Sequence, residues 1–173
     1  ECRNNSVTCI SPTKAFSIAG IQTAAVSIPN PFLRHKVWRA LNTDEVAEGN
    51  TFSYSAAIAA FNHGERWLNE LNAYIWKNKD YACSFIDSEM PDLKVMKGEA
   101  TYLLWIYIEN AFRMKSDEAA QFIRANTGLI LNAGTSYGTG GGNFVRINLG
   151  CPMSTVREGL ERLKKAYYII KGR

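Results

Sequence analysis

Several features that mark other protein classes are scarce in this chain of 173 residues. No apolar run approaches the roughly 18 residues that a membrane-spanning helix needs, so we expect no membrane partner. The four cysteines and two histidines show no paired metal-ligand spacing, which leaves no candidate metal site. Acidic and basic residues are interleaved and the net charge is only +4, so we expect no nucleic-acid partner.

The composition that remains is that of a folded globular protein. Hydrophobic residues make up 46% of the chain and aromatic residues 12%, which argues against a disordered chain. The N-terminal residues lack the layout of a secretory signal peptide. We therefore expect the four cysteines to be reduced and the protein to be cytoplasmic.

The first half of the chain is predicted to be mainly helical. The segment "PFLRHKVWRALN" (31–42) begins with a proline and is typical of a helix. Apolar residues at spacings of three, four or seven predict one long helix over about 54–86. A single strand is predicted at Val7 to Ile10, and no partner strand for it is evident in residues 1–90.

The second half is predicted to be an α/β unit with three strands. We expect these strands at 101–108, 129–134 and 143–150. The near-continuous apolar run "TYLLWIYI" in the first of them indicates burial on both faces of the sheet.

Two helices complete the predicted second half. One covers "SDEAAQFIRANTG" (116–128), with Ser116 as its N-cap and Gly128 as its stop. The other begins with a capping box formed by Thr155 and Glu158. Its predicted inner stripe consists of Val156, Leu160, Leu163, Tyr167 and Ile170.

A lysine lies in an unusual place in the stretch "SPTKAFSIAGIQ" (11–22). Pro12 has no N–H for a strand ladder, so Lys14 falls on a loop directly after a strand. One interpretation is an ordinary surface lysine. The other is a Schiff-base lysine, held beside hydroxyl groups that bind a phosphate, which Ser11 and Thr13 would supply.

The same stretch resembles the cofactor-lysine motif of the fold-type I pyridoxal-phosphate enzymes, in aminotransferase class I/II. More narrowly, it resembles the cystathionine β-lyase (C–S lyase) branch. The segment "NFVRINLGCP" (143–152) is similar to the part of that branch that carries a carboxylate-binding arginine. The segments "FNHGERWLNEL" and "EATYLLWIYI" between them also resemble it, so the likeness covers nearly the whole chain.

The resemblance implies a fold and a domain organisation. Residues 1–73 would be the end of the large, cofactor-binding domain of a PLP-dependent transferase-like fold. Residues 74–173 would be the C-terminal α/β small domain with its three strands and flanking helices. The long helix at about 54–86 would join the two.

The resemblance also implies roles for individual residues. Lys14 would form a Schiff base with pyridoxal 5'-phosphate and then act as general base on the substrate Cα proton. Ser11 would hydrogen-bond the cofactor phosphate, and Arg146 would bind the substrate α-carboxylate. Asn132 and Tyr137 would line the substrate side, although packing within a loop explains both equally well. An ordinary ion pair for Arg146 is the alternative, but no acidic residue lies within eleven positions of it.

The chain departs from the family pattern in two respects. The wider aminotransferase signature has an arginine eight residues after the lysine, where this chain has Gln22. The upstream phosphate loop, the ring that stacks on the cofactor and the aspartate that pairs with its pyridine nitrogen cannot be placed. We therefore expect the C-terminal portion of an enzyme that is a homodimer at full length, and we expect these 173 residues alone to be inactive.

The implied activity is β-elimination from cystathionine or cysteine-type substrates, which gives a thiol, pyruvate and ammonia. An aminotransferase remains an alternative because it needs the same lysine, and a truncated non-catalytic module is a third. The glycine-rich "GTGGG" (138–142) leads into a strand instead of a helix. It is therefore interpreted as a flexible loop beside the substrate cleft, not as a nucleotide-binding loop.

Overall fold

The computed structural model describes residues 2–172. Contacts between Cα atoms divide the chain into two units, one ending at Leu71 and the other starting at Asn72. Each unit is described separately below. Within the described residues, no helix has both the length and the apolar character required to cross a membrane.

The first unit contains a two-stranded antiparallel sheet. Strand β1 (Thr8–Ile10) pairs with β2 (Ala25–Ser27), with Cys9 opposite Val26. The strand that was predicted to be without a partner therefore has one, supplied by the second apolar run after the lysine. The loop between the two strands carries Lys14, so the pairing fixes both ends of that loop.

Helix α1 (Pro31–Thr43) follows β2 and has a well-formed start. Asn30 precedes it, and its Oδ1 accepts hydrogen bonds from the backbone N–H groups of Phe32 (2.9 Å) and Leu33 (3.3 Å). Pro31 occupies the first helical position, where the missing N–H costs no hydrogen bond. The predicted helix at 31–42 is confirmed.

The predicted single helix over about 54–86 is wrong at one point. The structure has α2 (Ser53–His63) and α3 (Glu65–Glu89), which meet at Gly64. The ring of Phe16 lies against Gly64, and a Cβ at that position would overlap both this ring and the Ala60 carbonyl. The apolar spacing continues through the break, so periodicity alone could not reveal it.

The second unit is built on a four-stranded antiparallel sheet. The strand order is β3 (Lys94–Met96), β4 (Leu103–Tyr107), β6 (Phe144–Asn148) and β5 (Asn132–Ala133). The prediction of three strands is wrong because it omitted β3. That strand has only three residues, begins with Lys94 and is followed directly by Lys97, so it gives almost no period-two signal.

One face of this sheet is buried and the other is partly open. Leu104 and Ile106 of β4 and Val145 of β6 are buried, whereas their neighbours along each strand are half-buried. The expectation that 101–108 would be buried on both faces is therefore wrong. An antiparallel sheet can have helices on one face only, and here the partly open face includes the half-buried rings of Trp105, Tyr107 and Phe144.

Helices cover the buried face of the sheet. They are the second half of α3, the short α4 (Glu109–Phe112), α5 (Ser116–Thr127) and α6 (Met153–Ile170). The predicted inner stripe of α6 is largely confirmed, since Val156, Leu160, Leu163 and Tyr167 are buried and Ile170 is partly buried.

The helix ends follow the sequence signals only in part. Gly128 ends α5 in a left-handed conformation (φ 73°), as predicted, and its N–H donates to the Arg124 carbonyl at 2.8 Å. Ser116 is not the N-cap of α5 but its first residue. It is fully buried, and its Oγ accepts a hydrogen bond from the backbone N–H of Thr135 at 3.2 Å.

The predicted capping box of the last helix is also wrong. Helix α6 begins at Met153, directly after Pro152, so Thr155 already lies inside its first turn. Glu158 accepts a hydrogen bond from Arg162 at 2.6 Å instead of reaching back to the helix start.

A hydrogen-bonded cluster ties the end of α6 to the segment after α3. The Tyr167 hydroxyl donates to Asp92 Oδ2 at 2.6 Å, and Lys171 Nζ lies 2.8 Å from the same oxygen. The hydrogen bonds from Lys171 and then Tyr167 hold the pKa of Asp92 below its ordinary value. Burial, followed by the bond to Asp92, raises the pKa of Tyr167.

This cluster leads to a testable prediction about stability. Tyr167→Phe should lower the melting temperature of the chain by about 2–4 °C at neutral pH, because a hydrogen bond to a carboxylate is lost. Asp92 has a depressed folded-state pKa. The stability that ionised Asp92 contributes is therefore fully present above its pKa in the unfolded chain. This stability is lost as the pH falls through its lower pKa in the folded protein.

Thermal unfolding of the parent and the variant across pH 7 to 2 checks this, with Tyr168→Phe as the matched control. The Tyr168 hydroxyl donates to a neutral carbonyl, that of Glu89, at the longer distance of 3.3 Å. Tyr168→Phe should therefore lower the melting temperature less than Tyr167→Phe does, and its effect should not change with pH in this way. Equal losses for both variants at every pH would contradict the prediction.

Candidate functional site

The residues singled out in the sequence lie in both units. Ser11 and Lys14 belong to the first unit, and Asn132, Tyr137 and Arg146 belong to the second. The two groups are described one after the other, each within its own unit.

Lys14 lies in a turn whose shape is fixed by backbone hydrogen bonds. The N–H of Phe16 donates to the Pro12 carbonyl at 2.9 Å, and the N–H of Ile18 donates to the Thr13 carbonyl at 2.9 Å. Pro12 is buried, whereas the Lys14 side chain is exposed. The turn therefore presents the lysine amine outward from a fixed backbone.

The hydroxyl groups beside Lys14 bond to each other and to the chain. Ser11 Oγ donates to the Thr23 carbonyl at 2.7 Å and lies 2.7 Å from Thr13 Oγ1. A serine hydroxyl carries one proton, so Thr13 must be the donor in the contact between the two hydroxyls. Ser11 could donate a hydrogen bond to a phosphate oxygen only if it gave up its hydrogen bond to the Thr23 carbonyl.

Phe16 anchors this turn to the helices of the first unit. Its ring stacks on Trp67 and meets Phe61 edge-on, with both centroid distances at 6.1 Å. Both contacts converge beside Gly64, where the absence of a Cβ makes room for the ring. Sequence reasoning missed Phe16, and a glycine inside an otherwise helical pattern was the only signal that could have indicated a packed ring.

In the second unit, four side chains form a row across the sheet. Met96, Trp105, Arg146 and Asn132 are direct cross-strand neighbours on β3, β4, β6 and β5. Directly opposite residues in antiparallel strands point to the same face, which here is the partly open one. The register therefore brings Arg146 and Asn132 together, with Trp105 on the other side of the arginine.

The three substrate-side residues of the sequence analysis meet at the Arg146 guanidinium. Arg146 Nη2 donates to Asn132 Oδ1 at 3.4 Å. The guanidinium carbon lies 4.3 Å from the centroid of the Tyr137 ring, a distance typical of a cation–π contact. Tyr137 comes from the loop after β5, so this contact was not evident from strand pairing.

Arg146 has hydrogen-bonding capacity that the chain does not use. Its Nε is buried and has no hydrogen-bond partner among residues 2–172. No ion pair within that part of the chain includes Arg146, so the alternative of an ordinary strand ion pair has no support there. A guanidinium with free donors in a partly buried position is suited to bind a carboxylate in a two-pronged geometry.

Aromatic rings pack together on the same side of the sheet as this arginine. The Trp105 ring meets Tyr137 edge-to-face at 5.3 Å and Phe144 at 6.2 Å. These three rings, together with Met96, Gly140 and Gly141, line an open cavity of about 420 Å³. Sequence reasoning missed Trp105, although treating 103–107 as an alternating strand would have placed it on the open face.

The glycine-rich segment that carries Tyr137 is attached to the fold at both ends. The N–H of Thr135 donates to Ser116 Oγ at 3.2 Å, and the N–H of Ser116 donates to the Gly142 carbonyl at 2.8 Å. The backbones of Gly134 and Gly141 are in direct contact, and a Cβ on either would overlap the other residue. This segment, which the sequence analysis interpreted as a flexible loop, is thus closed on itself.

The described part of the chain, residues 2–172, holds no group of three or more His, Cys, Asp or Glu side chains that could bind a metal ion. The candidate residues are a lysine and hydroxyl-bearing side chains in the first unit and an arginine in the second.

Comparison with known proteins identifies the family. No family model matches the chain. Cystathionine beta-lyase PatB of Bacillus subtilis is 40% identical over 161 residues, which cover 93% of this chain and 41% of that protein. The chain belongs to the C–S lyase branch of the fold-type I pyridoxal-phosphate enzymes. It spans about two fifths of the length of the curated relatives that it matches and corresponds to their C-terminal portion.

Two solved structures support the same assignment. A PLP-bound candidate aminotransferase from Clostridium difficile 630 has a TM-score of 0.91 at 37% identity, over 95% of this chain and 42% of its own. Cystalysin from Treponema denticola, which contains pyridoxal 5'-phosphate, has a TM-score of 0.90 at 30% identity, over 95% and 41%. The predicted fold class is confirmed.

The contact between Gly134 and Gly141 gives a testable prediction. Gly141→Ala should lower the free energy of unfolding by about 1–3 kcal/mol, because the new methyl group forces two backbone segments apart. Gly140→Ala is the matched control, since its Cβ would meet no atom within 4 Å. Urea unfolding of both variants tests this, and similar stabilities would show that the loop is not closed by this contact.

Proposed function

We propose that the chain forms part of a pyridoxal-phosphate-dependent C–S β-lyase. The reaction converts cystathionine or a related cysteine-type substrate and water into a thiol, pyruvate and ammonia. The observation that carries this proposal is the Arg146 guanidinium, which lies between Asn132 and Tyr137 with a buried Nε that has no partner among the described residues. It occurs in a chain that is 40% identical to a cystathionine β-lyase.

The side chains around Lys14 have the chemistry that pyridoxal phosphate needs. A primary amine on an exposed turn can condense with an aldehyde, and the Ser11 hydroxyl can donate to a phosphate oxygen after rotating away from the Thr23 carbonyl. We propose that Lys14 holds the cofactor covalently and that Ser11 contributes to its phosphate site. When bound, the cofactor withdraws electrons from the substrate Cα.

The residues of the chain then have distinct tasks in the proposed reaction. Arg146 binds the substrate α-carboxylate through two parallel hydrogen bonds and so orients the Cα–H bond. The Lys14 amine, set free from the cofactor when the substrate amine replaces it, would accept the Cα proton as general base, after which a thiolate would leave from Cβ. Asn132 Oδ1 accepts from Arg146 Nη2, which leaves the remaining guanidinium donors for the substrate.

An aminotransferase is the second candidate. It would use the same lysine and the same arginine, and one of the matching structures is a PLP-bound candidate aminotransferase. The two activities differ in products, because only a lyase releases pyruvate from cystathionine without a keto-acid acceptor. An assay for pyruvate with and without such an acceptor separates them.

We further propose the organisation of the complete enzyme. Residues 1–73 would belong to its large, cofactor-binding domain and 74–173 to its small domain. Large apolar side chains are exposed in the first unit, and we propose that the rest of a homodimeric enzyme covers them. They include Phe32, Trp38, Val46, Phe52, Tyr54 and Ile58. The four cysteines are free thiols, which is compatible with the cytoplasmic location that we propose.

The assignment of Lys14 predicts a specific chemical label. Borohydride reduction of the full-length enzyme with its cofactor, followed by peptide mapping, should place a pyridoxyl group on Lys14. Lys14→Arg should abolish the label, whereas the matched change Lys36→Arg in α1 should leave it unchanged. A label on another lysine in the parent enzyme would show that Lys14 is not the cofactor lysine.

The assignment of Arg146 predicts a selective kinetic defect. Arg146→Lys in the full-length enzyme should lower kcat/KM for L-cystathionine by an amount equivalent to about 1.5–3 kcal/mol, because a lysine cannot form the two-pronged contact. Cofactor binding should change far less. Arg124→Lys, on the exposed surface of α5, is the matched control. A kcat/KM within about twofold of the parent (~0.4 kcal/mol) would exclude Arg146 as the carboxylate-binding residue.

A further inference from the structure

We propose that Tyr137 is a positioning residue that fixes the plane of the Arg146 guanidinium, and that the closed loop from Gly134 to Gly142 is its support. This inference rests on the proposed role of Arg146 in binding the substrate carboxylate. The glycine-rich segment would then serve to hold the Tyr137 ring in place, and not as a nucleotide-binding loop or a flexible loop.

The contacts of the guanidinium single out the Tyr137 ring. The hydrogen bond to Asn132 is long at 3.4 Å, and hydrogen bonds of that length are weak. Nε has no partner among the described residues. We therefore infer that the aromatic face of Tyr137, with its centroid 4.3 Å from the guanidinium carbon, restrains the orientation of the guanidinium plane. An arginine side chain has several rotatable bonds, so without such a contact much freedom would be lost when a carboxylate binds.

The Tyr137 ring itself packs against Trp105 of β4. The Trp105 ring meets it edge-to-face, with an interplanar angle of 81° and centroids 5.3 Å apart. Trp105 lies directly opposite Arg146 in the strand register. A rigid strand thus supports the ring that in turn packs on the arginine. Edge-to-face pairs of this kind are favourable beyond the area that they bury.

The loop backbone explains why several glycines are needed here. Tyr137 ends a short 3₁₀ turn, Gly134–Tyr137, and Gly138 then takes a φ of 120°, which side-chain-bearing residues rarely adopt. The close contact of Gly134 with Gly141 returns the chain to β6. Hydrogen bonds from Ser116 and to Ser116 fix both ends of the loop on α5.

Tyr137 contributes little to the buried core of the second unit. Its side chain is 49% exposed, and its aromatic and cationic contacts are those with Trp105 and Arg146. Replacement of the ring should therefore affect the arginine much more than the stability of the fold. A positioning role for Tyr137 therefore predicts an effect on substrate binding with little effect on stability, whereas a purely structural role predicts a loss of stability.

The test compares Tyr137→Leu, Tyr137→Phe and Ser136→Ala in the full-length enzyme with its cofactor bound. For each variant, kcat and KM are measured with L-cystathionine, together with the melting temperature. Tyr137→Leu should raise KM about 3–30-fold, the range expected for loss of a cation–π contact, with kcat changed less than about twofold. Tyr137→Phe keeps the ring face and should restore KM to within about twofold of the parent. Ser136→Ala removes an exposed hydroxyl next to Tyr137 in the same loop and should match the parent.

Each alternative result has a definite meaning when Arg146→Lys is measured beside these variants. If Arg146→Lys impairs kcat/KM and Tyr137→Leu does not raise KM, the positioning role is wrong and the proposed function stands. If neither substitution has an effect, both the carboxylate role of Arg146 and the positioning role are wrong. If Tyr137→Leu lowers kcat and the melting temperature along with the rise in KM, or if Tyr137→Phe is equally impaired, the ring does not act by orienting Arg146.

Discussion

The antiparallel pairing of β4 with β6 is the interaction on which the candidate substrate site depends. It places Trp105 opposite Arg146, while β5 on the other side of β6 places Asn132 opposite the same arginine. Alternation along both strands then buries Leu104, Ile106 and Val145 and leaves the arginine row on the partly open face. A shift of one residue in this register would turn Arg146 into the apolar core, where an unpaired guanidinium is very costly.

The first unit illustrates a different way to fix a reactive side chain. The turn that carries Lys14 is held in shape by backbone hydrogen bonds and by the packing of Phe16 beside Gly64. The hydroxyls of Ser11 and Thr13 are bonded within the same loop. The amine is therefore presented by a backbone whose shape does not depend on the lysine side chain.

Apolar periodicity and a helix-ending glycine were the local signals in the sequence that predicted the structure correctly. Periodic apolar residues located α6, and Gly128 located the end of α5, because both features act within a few residues. The break at Gly64, the short strand β3 and the burial of Ser116 could not be predicted, since each depends on a distant partner such as Phe16, β4 or Thr135. The candidate site residues were predicted from a family resemblance. The role of Trp105 became evident from the strand register, and the contact between Gly134 and Gly141 from the closed loop.

The central claim is that Arg146, supported by Tyr137, receives the substrate carboxylate. The most direct measurement is a crystal structure of the full-length enzyme with its cofactor and a bound amino-acid substrate analogue. The account predicts both carboxylate oxygens within about 2.7–3.2 Å of guanidinium nitrogens of Arg146, with the Tyr137 ring still stacked on its face. A carboxylate bound by other residues, or an Arg146 paired with an acidic side chain from elsewhere in the enzyme, would contradict it.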